Sequence, residues 1–164
     1  MALIKNRRLV ADTWRLLQPE DAIPVEGNVI VPLALWREQR PALHDRKGLT
    51  GVWMAHADDP SEIGDLPPLI AVHFPAFTDG RGYSTARLLR QRYGFTGELR
   101  AFGDVLRDQL FELARCGFDS FVLRDDQDAD DALRAFDDFS ETYQAAADSG
   151  PLFDRRFRPE RNAA

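Results

Sequence analysis

Asp79, Gly80, Arg81, Gly82, Tyr83 and Ser84 are the residues whose types and spacing best suit ligand binding in this chain. Two glycines flank an arginine, and a helical pattern begins directly behind them, over residues 85–93 with Ser84 as its N-cap. Unpaired N–H groups at a helix start, together with the positive end of the helix dipole, favour an anion. Arg81 adds a forked, charge-assisted donor. Sulfite, sulfate, phosphate or a carboxylate all satisfy that chemistry. The third glycine of a dinucleotide fingerprint is absent, and no Gly-Lys-Ser/Thr follows, so neither nucleotide motif is present. A simpler reading competes: the glycines only turn the chain, and Arg81 pairs internally with Asp79 or Asp104.

Asp104 precedes a second helical pattern with Leu106, Leu110, Leu113 and Ala114 on one stripe, and is read chiefly as its N-cap. With Asp79 it also makes a carboxylate pair of the acid–base kind, although proximity alone does not make an enzyme. Arg124 follows the next strand and joins the candidate anion site. No catalytic residue is assigned, because Tyr83 and Ser84 have no activating base nearby in sequence. His44, His56 and His73 lack ligand spacing; His73 sits in an apolar strand and is read as a core histidine. Cys116 closes a helix, where the negative dipole end disfavours the thiolate. No metal site and no cofactor is evident.

These residues need a scaffold. Buried strands are expected at residues 49–55, 69–74, 98–102 and 120–123, with a shorter one at 28–31. Helices are expected from Pro32 to before Pro41, over 85–93, after Asp104, and after Asp128. The last carries a Leu133, Phe136, Phe139 and Tyr143 stripe, read as core or else as a homodimer face, and stops at Gly150-Pro151. Gly94 and Gly117 end the two middle helices. Residues 9–17 are read as a single edge strand, and 58–61 as a loop or one helical turn. Alternating strands and helices imply an α/β domain over residues 1–150 with a mainly parallel sheet of four to five strands and flanking helices, followed by a tail at 151–164. A partial β/α-barrel-like arrangement is the alternative. In either, ligands gather at the carboxyl ends of the strands, where Asp79–Ser84, Asp104 and Arg124 fall.

Residues 79–119 also carry a long motif string. Gly80-Arg81-Gly82-Tyr83-Ser84, Ala86-Arg87-Leu88-Leu89-Arg90, Gly94-Phe95, Gly97-Glu98-Leu99-Arg100-Ala101, Gly103-Asp104-Val105-Leu106, Asp108-Gln109 and Arg115-Cys116-Gly117-Phe118-Asp119 are its parts. The string resembles a bacterial family of unknown function usually encoded beside the genes of assimilatory sulfite and sulfate reduction, whose members are often labelled oxidoreductases of sulfite reduction. The resemblance implies a place in that pathway. It carries over no catalytic residues.

Composition bounds the rest. At 164 residues, 44% hydrophobic, the chain is long enough for one well-buried core. One cysteine allows no internal disulfide and no cysteine-ligated cluster within one chain, and fits a reducing compartment. A net charge of −6 argues against general nucleic-acid binding. No apolar run of membrane-spanning length and no signal-peptide pattern is seen, so the cytoplasm is the expected location. Charge is uneven: residues 81–107 hold six arginines against Glu98 and Asp104, whereas 119–148 hold ten acids against Arg124 and Arg134. This is read either as solvated helix faces or as a docking surface. The expected function is an accessory protein of assimilatory sulfite/sulfate reduction, binding sulfite reductase, its electron donor or a small oxyanion at the strand ends. The alternative is a small cofactor-dependent oxidoreductase of that pathway.

Overall fold

The computed structural model describes residues 2–137. Phe139, Tyr143, the Gly150-Pro151 stop and the tail at 151–164 lie outside the described residues. Among the described residues the sheet has eight strands rather than four to five. They are β1 (Leu3–Lys5), β2 (Arg8–Val10), β3 (Trp14–Leu16), β4 (Asn28–Pro32), β5 (Thr50–Met54), β6 (Leu69–Phe74), β7 (Glu98–Gly103) and β8 (Ser120–Val122). Strands β3 to β8 are parallel and lie side by side in chain order. Strand β1 then pairs antiparallel with β8, and β2 antiparallel with β1.

Sequential order without reversal has a consequence. Crossovers of one hand place every connecting helix on the same face, as in a β/α barrel, rather than on both faces. The packing agrees. Val52, Met54, Ile70, Val72, Phe74, Leu99 and Ala101 form one core with Ala86 and Leu89 of α3 (Arg81–Gln91) and Leu110 and Leu113 of α4 (Leu110–Arg115). Alternate residues of the same strands form a separate inner cluster of Ile30, Leu69 and Ala71 with Trp14, Trp53 and Phe102. The sheet is curled into a half-barrel, which is the alternative architecture expected from the sequence.

The N-terminal residues explain the curl. Residues 9–17 are not one edge strand but parts of two, β2 at one edge of the sheet and β3 at the other. Only residues 11–13 separate Val10 from Trp14. Four Cα–Cα steps reach at most ~15 Å, so the two edges must approach each other at that point. Sequence reading missed this because three-residue strands, one of them wholly exposed, carry no periodicity.

Helix boundaries brought further corrections. Ser84 does not cap a helix: α3 starts three residues earlier, at Arg81, and Ser84 lies in its first turn on the exposed side. Asp104 does not cap either. The chain bends at Asp104, where the Val105 N–H donates to Gly103 O, a 3-10 turn spans Arg107–Gln109, and α4 begins at Leu110. The helix after β4 breaks into α1 (Leu33–Glu38) and α2 (Arg40–His44), with Pro41 in the first turn of the second, where its missing N–H costs little. Asp128 does cap α5 (Ala129–Arg134), its carboxylate accepting from the Asp131 N–H. Gly94 and Gly117 take positive φ after their helices, as read.

Candidate functional site

The loops after β6, β7 and β8 meet at one rim, the carboxyl ends of the parallel strands. Parallel registers place Phe74 beside Gly103 and Ala101 beside Phe121. Asp104 ties the three loops together. Its backbone N–H donates to Phe74 O (2.8 Å), its Oδ2 accepts from the Phe77 N–H (2.8 Å), and its Oδ1 accepts from Arg124 Nη1 (2.6 Å). Asp104 therefore acts as a tie between units, because donors 27 residues upstream and 20 downstream reach its carboxylate. Sequence proximity to a helix concealed that role.

The two arginines of the rim are already paired. Arg81 grips Asp79 with a two-pronged contact, Nε to Oδ1 at 2.9 Å and Nη2 to Oδ2 at 2.6 Å, and Asp79 also accepts the Arg81 N–H. Those bonds hold the Asp79 carboxyl at about 2, well below its usual range. Asp79 thus supplies the negative charge that the start of α3 favours. Arg124 makes the same kind of fork with Asp126, at 2.6 and 2.7 Å, which also lowers the Asp126 carboxyl to about 2. The bonds to Asp126 and then Asp104 raise Arg124 further above its ordinary range. The rim presents matched ion pairs rather than bare guanidinium groups.

The glycines serve different ends. Gly80 stands in open space with ordinary dihedrals. Gly82 is buried, and a Cβ there would fall 2.5 Å from Phe74 Cζ, so its hydrogen lets α3 close on the sheet. Tyr83 is half-buried edge-on to Phe74, with ring centroids 5.7 Å apart, and burial raises its phenol pKa. Ser84 lies on the outer side of α3, beside Arg87 and Leu88, away from the rim pairs.

Phe77 is what the sequence reading missed. Its side chain is 54% exposed, yet both backbone groups are held: the N–H by Asp104 and the carbonyl by Gln109 Nε2 at 3.0 Å. No motif marked it, since a lone phenylalanine in a loop has no pattern. Inside the rim, His73 sits between Trp53 and Phe102, centroids 6.2 and 5.0 Å away, and burial, then the nearby His56, lowers its pKa. Cys116 is buried, and burial raises its thiol pKa.

Most of the arginine-rich tract is committed to internal partners, with Arg87 and Arg92 left exposed on and just after α3. Arg90 and Arg100 turn inward onto protein acceptors, and Arg107 pairs with Asp131 at 2.7 Å. Among the described residues no cluster of histidine, cysteine and acid side chains is arranged to hold a metal ion, and no helix is long and apolar enough to cross a membrane.

Fold and rim together define an α/β half-barrel protein with Phe77 and paired charges at the carboxyl ends of its parallel strands. The chain belongs to the family described as bacterial protein of unknown function (DUF934), whose model matches residues 51–153. No curated protein and no solved structure matches it significantly.

Proposed function

We propose that this protein is an accessory protein of assimilatory sulfite/sulfate reduction that docks sulfite reductase or its electron donor through the carboxyl-end rim. The pathway comes from the resemblance of the motif string in residues 79–119. The docking role rests on one observation, Phe77: an exposed aromatic ring on a backbone pinned at both N–H and C=O, beside the Asp79–Arg81 and Asp104–Arg124–Asp126 pairs. Rigid aromatic anchors ringed by polar groups carry a large share of binding energy at protein interfaces. A small oxyanion at the same rim must displace Asp79 from Arg81, so the geometry favours a partner surface over a free anion.

Titration calorimetry with purified sulfite reductase, and separately with its electron donor, from the same organism tests the reading. One of them binds, and Phe77→Ala weakens that binding about 30-fold, the effect of a 2 kcal/mol hot spot, with thermal stability retained. Absence of binding to both, or equal binding by the variant, refutes it. The oxidoreductase reading draws support from Trp53, His73 and Phe102, whose rings offer a stacking surface for a planar group just inside the rim. A visible absorbance spectrum of protein purified from its own host decides between the two.

A further inference from the structure

The inner face of the curled sheet encloses a cavity of about 300 Å³, at the lower end of the range for small-molecule sites. Its walls are mainly apolar, with Trp14, Ile30 and Phe102 around Ala71, whose small side chain helps leave the hollow. Two charged groups, Arg100 and Asp12, stand among them. Arg100 is 3% exposed and lines the cavity from the middle of β7. Its Nε and Nη2 donate to Glu98 Oε1 at 3.0 and 2.8 Å, and its Nη1 donates to Asp12 Oδ2 at 2.9 Å.

The two carboxylates differ. Glu98 is nearly buried and is shared with Lys5, whose Nζ approaches to 2.6 Å. Lys5 thus balances Glu98, which leaves Asp12 to balance Arg100. Asp12 sits in the strap of residues 11–13 that joins the two edges of the sheet, and its side chain is 37% exposed. It can leave for water at little cost, whereas Arg100 cannot, because a buried charge that loses its partner is strongly destabilising. An anion entering the cavity would replace Asp12 on Arg100 while its hydrocarbon part gains the apolar walls.

We propose that this cavity binds a small, largely apolar organic anion, a single carboxylate or sulfonate on an aromatic or aliphatic body, anchored by Arg100 with Asp12 as the displaceable occupant of the same guanidinium. The site is distinct from the docking rim and stands or falls separately from it. Asp12→Asn keeps the side-chain oxygen that accepts from the Trp14 N–H (3.0 Å) and removes the competing charge.

The test uses 1-naphthaleneacetate and its neutral amide as probes, titrated into the full chain while backbone and indole amide NMR signals and Trp fluorescence are followed. The carboxylate binds in preference to the amide, with shifts centred on Trp14, Ala71 and Phe102. Asp12→Asn tightens carboxylate binding about tenfold and leaves the amide unchanged. Asp12→Asn/Arg100→Met, in which Lys5 still neutralises Glu98, abolishes the preference. Equal affinity for acid and amide in wild-type protein, shifts located elsewhere, or no binding at about 10 mM (a free energy near −2.7 kcal/mol) would each overturn the proposal. Should Asp12→Asn fail to fold by circular dichroism, the wild-type comparison of acid with amide decides alone.

Discussion

Arg90 offers the sharpest check on how this fold is held. It lies on α3 with its side chain 17% exposed, and it reaches four oxygens in two connecting segments. These are Phe95 O (2.7 Å) and Gly97 O (2.8 Å) in the turn before β7, Gly117 O (2.9 Å) after α4, and Asp119 Oδ2 (2.9 Å) before β8. The guanidinium also lies over the Phe95 ring, 5.2 Å from its centroid. Arg90→Met keeps the apolar stem and strips all four bonds. Charge-assisted bonds contribute about 1.5–3 kcal/mol each when the acceptor stays dry. Here the acceptors sit in loops that water can reach, so about 1 kcal/mol each, or about 4 kcal/mol in total, is the reasoned loss. For a chain of this size that lowers the melting temperature by about 8–16 °C. Arg90→Lys recovers only a small part, because an ammonium cannot span a forked set of acceptors. Urea unfolding followed by tryptophan fluorescence measures the change, with exposed Arg92→Met as a control that shifts stability by less than about 0.5 kcal/mol. A loss below about 1.5 kcal/mol for Arg90→Met would refute the claim that this residue staples two loops to α3.

Two further outcomes follow from the same packing. Gly82→Ala forces a methyl against the buried Phe74 ring and destabilises by about 1–2 kcal/mol despite alanine's better helix propensity; Gly80→Ala, in open space, changes stability by less than about 0.5 kcal/mol, and equal effects in paired thermal melts would show that the two glycines do not differ as described. Burial holds His73 below its ordinary pKa of about 6.5, so its contribution is complete above that value and is lost as pH falls through it toward the folded-state pKa; His73→Phe should flatten the decline in unfolding free energy between about pH 7 and 5, and an unchanged slope counts against a buried neutral imidazole.

The motif string in residues 79–119 takes on a physical meaning through these contacts. Phe95, Gly97, Gly117 and Asp119 are largely the acceptors and walls of the Arg90 staple, and Gly103 takes φ +102 where a Cβ would meet Phe74 O at 2.4 Å. Much of the string therefore builds a scaffold. Arg81 and Asp104 are the members that reach the rim, together with Asp79, Arg124 and Phe77 outside the string's recognised parts.

Local sequence settled the elements whose causes are local. The apolar runs at residues 69–74 and 98–102 became central parallel strands, Asp128 capped the helix it precedes, and Gly94 and Gly117 took the left-handed turns that only a residue without Cβ adopts cheaply. Each answer depends on residues within a few positions. Tertiary structure alone decided that β2 and β3 lie at opposite edges of one curled sheet, that Asp104 ties loops instead of capping, and that Arg100 meets Asp12 inside. Arg100 and Asp12 stand 88 residues apart. Long-range partners of that kind leave no periodic trace, because burial and pairing energy, rather than local propensity, select them.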